Sequence, residues 1–272
     1  MKPVPWAVLL IGLLVGPVAD SQEVSDRHSQ MIYDAQDALT IRENDLALRN
    51  AQKIIDGETA DEYVKSYGYE VLGLVNLAEG RFAAALRNFE IVLGVESEPG
   101  DRRSTALYLA AVAADRKQDF ETAGTYLSEY LDATDIPYAH AWYIQARQEF
   151  ERGNFEETIE YLHDAFHFAK VQSYSEVETD WLILRFMAYV ELRDADNIVT
   201  SYDALPTALR YENVMWVAAN TLLELGHCEG AVPITDELIE HVPAPQNQEF
   251  AQGVYEACAD GAKASRTRTP RE

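Results

Sequence analysis

The sequence has few basic residues and only two cysteines. Its 272 residues include 22 lysines and arginines against 46 aspartates and glutamates, which gives a formal net charge of −24. A phosphate backbone would repel such a chain, so nucleic acid is not an expected partner. Solubility or adaptation to high salt explains the acidity, and attraction of a basic protein partner is the alternative.

Long apolar runs are missing beyond the N-terminal segment. The run at residues 6–15 is shorter than the roughly 20 residues that a membrane-spanning helix needs. Small residues at Ala19 and Ser21 follow it, as at a signal peptidase site. The pattern predicts a signal peptide over residues 1–21, cleaved before Gln22, with an uncleaved anchor as the alternative. We therefore expect an exported protein without an integral membrane segment, in the periplasm of a Gram-negative bacterium.

Motifs of common enzyme classes are also missing. The chain has no Gly-x-Gly-x-x-Gly, no Gly-Lys-Ser/Thr phosphate loop, no Gly-x-Ser-x-Gly elbow and no His-Glu-x-x-His. Glu160, His163 and His167 share one helical face, which is the one spacing that suits a metal ion. Histidines one turn apart on an outer helix more often pack or face water. The sequence therefore predicts no catalytic residue, no metal site and no cofactor.

The two cysteines are Cys228 and Cys258, and both fall near the C-terminus. Each lies fifteen residues from Pro243, where a turn between two helices is expected. Antiparallel packing of those helices would bring the thiols side by side. The spacing predicts a disulfide, which would stabilise the chain by about 3 to 4 kcal/mol. A redox or metal-binding pair is the alternative, but there is no Cys-x-x-Cys motif.

An internal repeat is the most informative feature that is present. A small or turn residue is followed two positions later by an aromatic and three further on by a small residue, at intervals of about 31 to 42 residues. Helical apolar spacing flanks each turn, as at Leu72 before the first turn and Phe89 after it. Each repeat therefore predicts a helical hairpin. The copies lie around residues 80–85, 118–123, 153–158, 195–200 and 226–231.

The first copy resembles the tetratricopeptide repeat (TPR) family most closely, through Tyr69, Leu72, Gly73, Gly80, Phe82, Ala85 and Phe89. The resemblance implies an all-α fold, a right-handed superhelical solenoid of stacked helix-turn-helix hairpins. The fourth copy departs from the pattern because it lacks the turn glycine and the aromatic. The expected organisation is an N-terminal helical cap (22–60), a repeat solenoid (61–244), a closing helix (245–260) and a basic disordered tail (261–272).

The resemblance also implies a binding groove, because the first helix of each hairpin lines the concave side of such solenoids. Large aromatic and arginine side chains in a groove suit protein recognition, and ordinary packing between helices is the alternative interpretation. The repeat register predicts these groove residues: Tyr67, Tyr108, His140, Tyr143, Arg147, Arg185, Tyr189, Asn213, Trp216 and Asn220.

The function predicted from these features is that of a periplasmic scaffold or adaptor. It would bind a protein or peptide segment in the groove as part of a cell-envelope complex. Two alternatives remain open at this stage. One is a structural component that self-assembles through the repeat ends, and the other is an envelope enzyme with an active site in the groove.

Overall fold

Left-handed backbone conformations mark the turn inside each repeat hairpin. In the computed structural model, φ is +75° at Gly80, +81° at Gly153 and +72° at Gly226. Gln118 and Arg193 adopt φ of +66° and +55° at the two other turns. Glycine reaches this region without steric cost and commonly ends a helix. The repeated conformation therefore sets where each first helix ends and the second helix begins.

The structure describes residues 26–95, 100–172 and 179–266, with side chains from residue 27 to residue 259 within those ranges. The predicted signal peptide, residues 1–21, lies outside the described residues. The chain divides into two compact units, residues 1–137 and residues 138–272. Among the described residues, no helix is long and apolar enough to cross a membrane.

The first unit contains six described α-helices that pack in sequence as hairpins. They are α1 (Asp26–Thr40), α2 (Asn44–Ile55), α3 (Glu62–Ala78), α4 (Phe82–Leu93), α5 (Gly100–Arg116) and α6 (Phe120–Ala133). The helices α1 and α2 form the predicted N-terminal cap. The next two pairs, α3 with α4 and α5 with α6, are the first two repeat hairpins.

The second unit contains seven described α-helices and one short 3-10 turn, Thr207–Leu209. The helices are α7 (Ala139–Arg152), α8 (Phe155–Val171), α9 (Thr179–Leu192), α10 (Ala195–Asp203), α11 (Glu212–Glu224), α12 (Cys228–His241) and α13 (Pro245–Arg266). Consecutive helices again pack against each other. Across both units, the predicted all-α fold of stacked helical hairpins is confirmed.

Acidic side chains begin several of these helices. Asp61 accepts a hydrogen bond from the Val64 amide at 2.8 Å, and Asp119 caps α6 in the same way. Asp194 caps α10. A side-chain acceptor at this position satisfies an amide that has no partner inside the helix. Part of the chain's acidity therefore serves helix initiation.

Small residues allow the two helices of a hairpin to approach closely. In the first repeat hairpin, a Cβ on Gly73 would lie 2.5 Å from the ring of Phe89, which is fully buried. Ala85, on the same helix as Phe89, is also fully buried. The Leu-Gly pair in the repeat pattern therefore has a steric reason, since the glycine makes room for the aromatic.

Cys228 and Cys258 form a disulfide, with Cα atoms 5.6 Å apart. The bond joins the first residue of α12 to α13. The closing helix extends past residue 260 to Arg266, so residues 261–266 are helical rather than disordered. Alanines at 262 and 264 favour this continuation. Residues 267–272, the rest of the predicted basic tail, lie outside the described residues.

Candidate partner-binding face

The turns define a common register for the first helix of each hairpin. Tyr67, Glu70 and Leu74 precede the turn residue Gly80 by 13, 10 and 6 residues. The same offsets before Gly153 give His140, Tyr143 and Arg147, and before Gly226 they give Asn213, Trp216 and Asn220. The predicted groove residues of the first, third and fifth hairpins lie at these offsets, and Tyr108 of the second hairpin lies ten residues before its turn residue Gln118.

The fourth hairpin has a different register from the one predicted. Its turn residue is Arg193, two positions before Ala195, and α10 begins directly after Asp194. The corresponding buried residue of the second helix is Ile198, not Thr200. The positions equivalent to the groove residues in this hairpin are therefore Asp180, Ile183 and Met187.

This correction moves Arg185 and Tyr189 off the groove positions. A shift of two residues rotates a helical position by roughly 200°. Arg185 instead lies with its guanidinium carbon 4.8 Å from the ring centroid of Phe166 on α8, and burial lowers its pKa from the ordinary arginine value. Tyr189 packs against the core of α9 to α13.

A sequence signal for the correct register was present. The second and fourth turns share one pattern, in which a residue of positive φ precedes an aspartate and then the first residue of the second helix. Gln118-Asp119 and Arg193-Asp194 both show it, and both aspartates cap their helices. Alignment on the capping aspartate, rather than on a glycine or an aromatic, identifies the fourth turn.

Most groove positions in the first three repeat hairpins are buried. Tyr67 is 4% exposed, Tyr108 2%, His140 5% and Tyr143 8%. The ring of Tyr108 contacts that of Tyr130 at a centroid distance of 5.4 Å. These side chains contribute to packing, as the alternative interpretation of the aromatic pattern anticipates.

In the first unit, the groove position Glu70 belongs to a buried ion pair with Arg102. The Arg102 guanidinium donates through Nε and Nη2 to one carboxylate oxygen of Glu70, at 3.0 and 2.7 Å. Its Nη1 donates to Ser66 Oγ at 2.9 Å, and the guanidinium carbon lies 3.5 Å from the ring centroid of Tyr67. The cluster binds α5 to α3 and satisfies the Glu70 carboxylate internally.

In the second unit, aromatic stacking connects α7 to α9. The rings of Tyr143 and Trp181 are stacked at a centroid distance of 5.4 Å, and His140 contacts Tyr143 at 5.7 Å. Arg147 is half-buried on the same helix as Tyr143. Burial lowers the pKa of Arg147, while the charges of Glu151 and Asp180 oppose that shift. The helices α7 and α9 also contact each other directly.

The accessible groove positions lie on α9 and α11. Asp180, Asn213 and Asn220 are exposed, whereas Ile183, Met187 and Trp216 are partly buried against the core. We name these six residues, together with Arg147, the α7–α11 face. It combines partly exposed apolar side chains with amide donors and acceptors and with one charge of each sign.

Hydrogen bonds restrain one edge of the α7–α11 face. Asn220 Nδ2 donates to Glu224 at 2.9 Å, and Arg193 donates to the same carboxylate at 3.0 Å. The hydrogen bond from Arg193, and to a smaller extent the one from Asn220, lowers the pKa of Glu224. The Asn220 amide is therefore oriented before any partner binds, while Asn213 has no such restraint among the described contacts.

The three side chains whose spacing suits a metal ion do not form a site in the described part of the chain. Glu160, His163 and His167 on α8 are exposed, and His163 faces only Asp164 at 3.9 Å. Among the described residues, no group of three or more His, Cys, Asp or Glu side chains is arranged to hold a metal ion. The cysteines are in the disulfide.

Solved structures that are similar to this chain include the following two. A tetratricopeptide repeat protein from Parabacteroides merdae superposes with a TM-score of 0.55 and 13% identity, over 91% of this chain and 95% of that one. A chain from the crystal structure of the APC/C hetero-tetramer Cut9-Hcn1 superposes with a TM-score of 0.52 and 12% identity. The second match covers 92% of this chain but only 45% of the other. This chain has a TPR fold.

The similarity stops at the fold, because identities of 12 to 13% say nothing about ligands. No protein-family model matches the chain, and no curated protein matches it. The TPR resemblance is thus confirmed by helical architecture.

Proposed function

We propose that the protein is a scaffold that binds an extended segment of another protein on the α7–α11 face. The observation that carries the proposal is the contrast in exposure along the first helices. Positions in the first three repeat hairpins are largely buried, whereas Asp180, Asn213 and Asn220 are exposed and Ile183 and Met187 are partly exposed. This is where a partner has both apolar area and hydrogen-bonding groups to contact.

Export to the periplasm and assembly into an envelope complex belong to the same proposal. They rest on the N-terminal apolar run and on the disulfide, because disulfides persist in oxidising compartments. Mass spectrometry of the protein purified from its native host tests export. The mature chain is expected to begin at Gln22, and a chain that retains Met1 in the cytoplasmic fraction would overturn this part.

Site-specific photo-crosslinking tests the binding face. A photoreactive amino acid replaces Asn213 or Asn220 on the face, and Glu157 or Glu229 on exposed positions of second helices serves as the control. The expected result is one defined protein adduct from both face positions and none from the controls. An adduct formed equally from all four positions, or only from the controls, would show that the face is wrongly assigned.

A matched pair of variants separates the face from general surface effects. Asp180→Arg reverses a charge on the face, whereas Glu157→Arg reverses one in the first turn of α8. Both residues are exposed, so we expect both variants to fold by circular dichroism, with Asp180→Arg abolishing the adduct and Glu157→Arg retaining it. If the adduct proves to be a second copy of the chain, the self-assembling alternative replaces the adaptor function.

A further inference from the structure

A cavity in the N-terminal hairpin contains an unusual concentration of basic side chains. Its volume is about 890 Å³, and it lies between the start of α1, the end of α2 and the loop that follows α2. Arg27 and His28 line it from α1, and Arg49 and Lys53 line it from α2. Such a volume is typical of sites for small organic molecules, which occupy roughly 300 to 1,000 Å³.

Three exposed cations line the cavity from two helices. Arg49 and Lys53 are one helical turn apart, a spacing at which like charges repel, and Arg27 reaches the same cavity from the neighbouring helix. None of the three forms an ion pair with a carboxylate in the described part of the chain, although the sequence has 46 acidic residues. Lys53 only donates to Asn50, at 3.2 Å.

The rest of the cavity lining includes apolar and acidic side chains. Its apolar part is the partly exposed Met31, with the buried Ile54 and Ala60 beneath the surface. Two carboxylates, Asp56 and Glu58, lie at the loop end, and Asp56 already accepts a hydrogen bond from Gln52 at 2.9 Å. The cations of the lining therefore come from the two helices, and its carboxylates come from the loop.

From this arrangement we infer that the α1–α2 cavity binds a small organic anion, with a carboxylate or phosphate group at Arg27, Arg49 and Lys53 and an apolar portion against Met31. Guanidinium groups bind these planar or tetrahedral oxyanions through paired hydrogen bonds. On a chain of net charge −24, a local group of cations also directs anions to one place. The site is separate from the α7–α11 face and does not depend on the proposed function.

Isothermal titration calorimetry of the purified protein tests the cavity, at constant ionic strength so that general screening is excluded. The probes are inorganic phosphate, acetate and octanoate. Binding of octanoate that is tighter than acetate supports an amphiphilic carboxylate, and binding of phosphate that is tighter than either carboxylate supports a phosphate ester. Absence of binding by all three probes at millimolar concentration would overturn the inference.

Variants connect any binding to the cavity. In Arg27→Gln/Arg49→Gln, the affinity for the best probe is expected to fall by more than about tenfold, because two charge-assisted hydrogen bonds are lost. Arg87→Gln removes an exposed arginine of α4 outside the cavity and is expected to bind as the wild type does. Both variants must keep the wild-type melting temperature within error. Equal affinity in the double variant and the control would place the anion elsewhere and reject the site.

Discussion

The indole of Trp216 stacks on the ring of Phe250 with centroids 3.8 Å apart. Its Nε1 donates to Asn247 Oδ1 at 2.8 Å, and the Asn247 side chain is itself fully buried. Trp216 thus holds α11 against α13 while its outer edge belongs to the α7–α11 face. The residue has a structural role that a groove assignment alone does not reveal.

Replacement of this indole should therefore reduce stability. We expect Trp216→Ala to lower the free energy of unfolding by about 3 kcal/mol, through lost apolar burial and an unpaired Asn247 amide oxygen. Urea unfolding followed by circular dichroism measures the effect. Asn213→Ala, an exposed change on the same helix, should stay within about 0.5 kcal/mol of wild type. Equal stability of the two variants would contradict the structural role.

The Arg102–Glu70 pair gives a prediction about a buried charge. Both side chains are about one-tenth exposed, at 12% and 10%. Arg102→Met leaves the Glu70 carboxylate without its partner and should cost about 3 to 5 kcal/mol. The double variant Arg102→Met/Glu70→Leu should recover most of that loss, because neither charge remains. A double-mutant cycle by urea unfolding checks this, and additive losses would show that the pair is not coupled.

Two glycines offer a matched test of packing. A methyl group on Gly73 meets the buried Phe89 ring, so Gly73→Ala should destabilise the protein by about 1 to 3 kcal/mol. Gly253 lies inside α13 with no atom within 4 Å of an added Cβ. Gly253→Ala should instead stabilise by about 0.5 to 1 kcal/mol, since alanine favours helices. Thermal unfolding gives the melting temperature of each variant. A shift of the same sign in both variants would be inconsistent with the steric explanation.

Tyr255 provides a pH-dependent prediction. Its hydroxyl donates to Asp236, and this hydrogen bond, followed by burial and the Asp236 charge, raises the pKa of Tyr255 to about 12. A raised pKa means that the stabilisation is fully present below the unfolded value near 10 and is lost as the pH rises from about 10 to about 12.

Ultraviolet absorbance near 295 nm follows this ionisation. The difference in titration between wild type and Tyr255→Phe isolates the single tyrosine. In Asp236→Asn the pKa of Tyr255 should return toward 10, because the carboxylate acceptor and its charge are removed. An unchanged titration in Asp236→Asn would mean that the hydrogen bond does not form in solution.

Much of the helical architecture could be predicted from local pattern. Gly80 and Gly153 mark their turns because few other residues adopt positive φ, and Cys228 and Cys258 lie at equal distances from Pro243. The fourth turn was misplaced because Arg193 replaces the glycine and Ala195 replaces the aromatic that follows most of the other turns. The second turn also lacks a glycine, at Gln118, but it keeps the aromatic Phe120 and could be recognised by it.

The sequence alone determined the hairpin period, the disulfide partners and the absence of familiar enzyme motifs, because these depend on spacing along the chain. Only the tertiary structure decided which aromatic side chains are accessible. The repeat register assigns Tyr67, Tyr143, Asn213 and Asn220 to the groove. The two tyrosines are nevertheless buried, whereas the two asparagines are exposed. The burial of a position depends on which side chains of neighbouring helices cover it, and those side chains come from residues that are distant in the sequence.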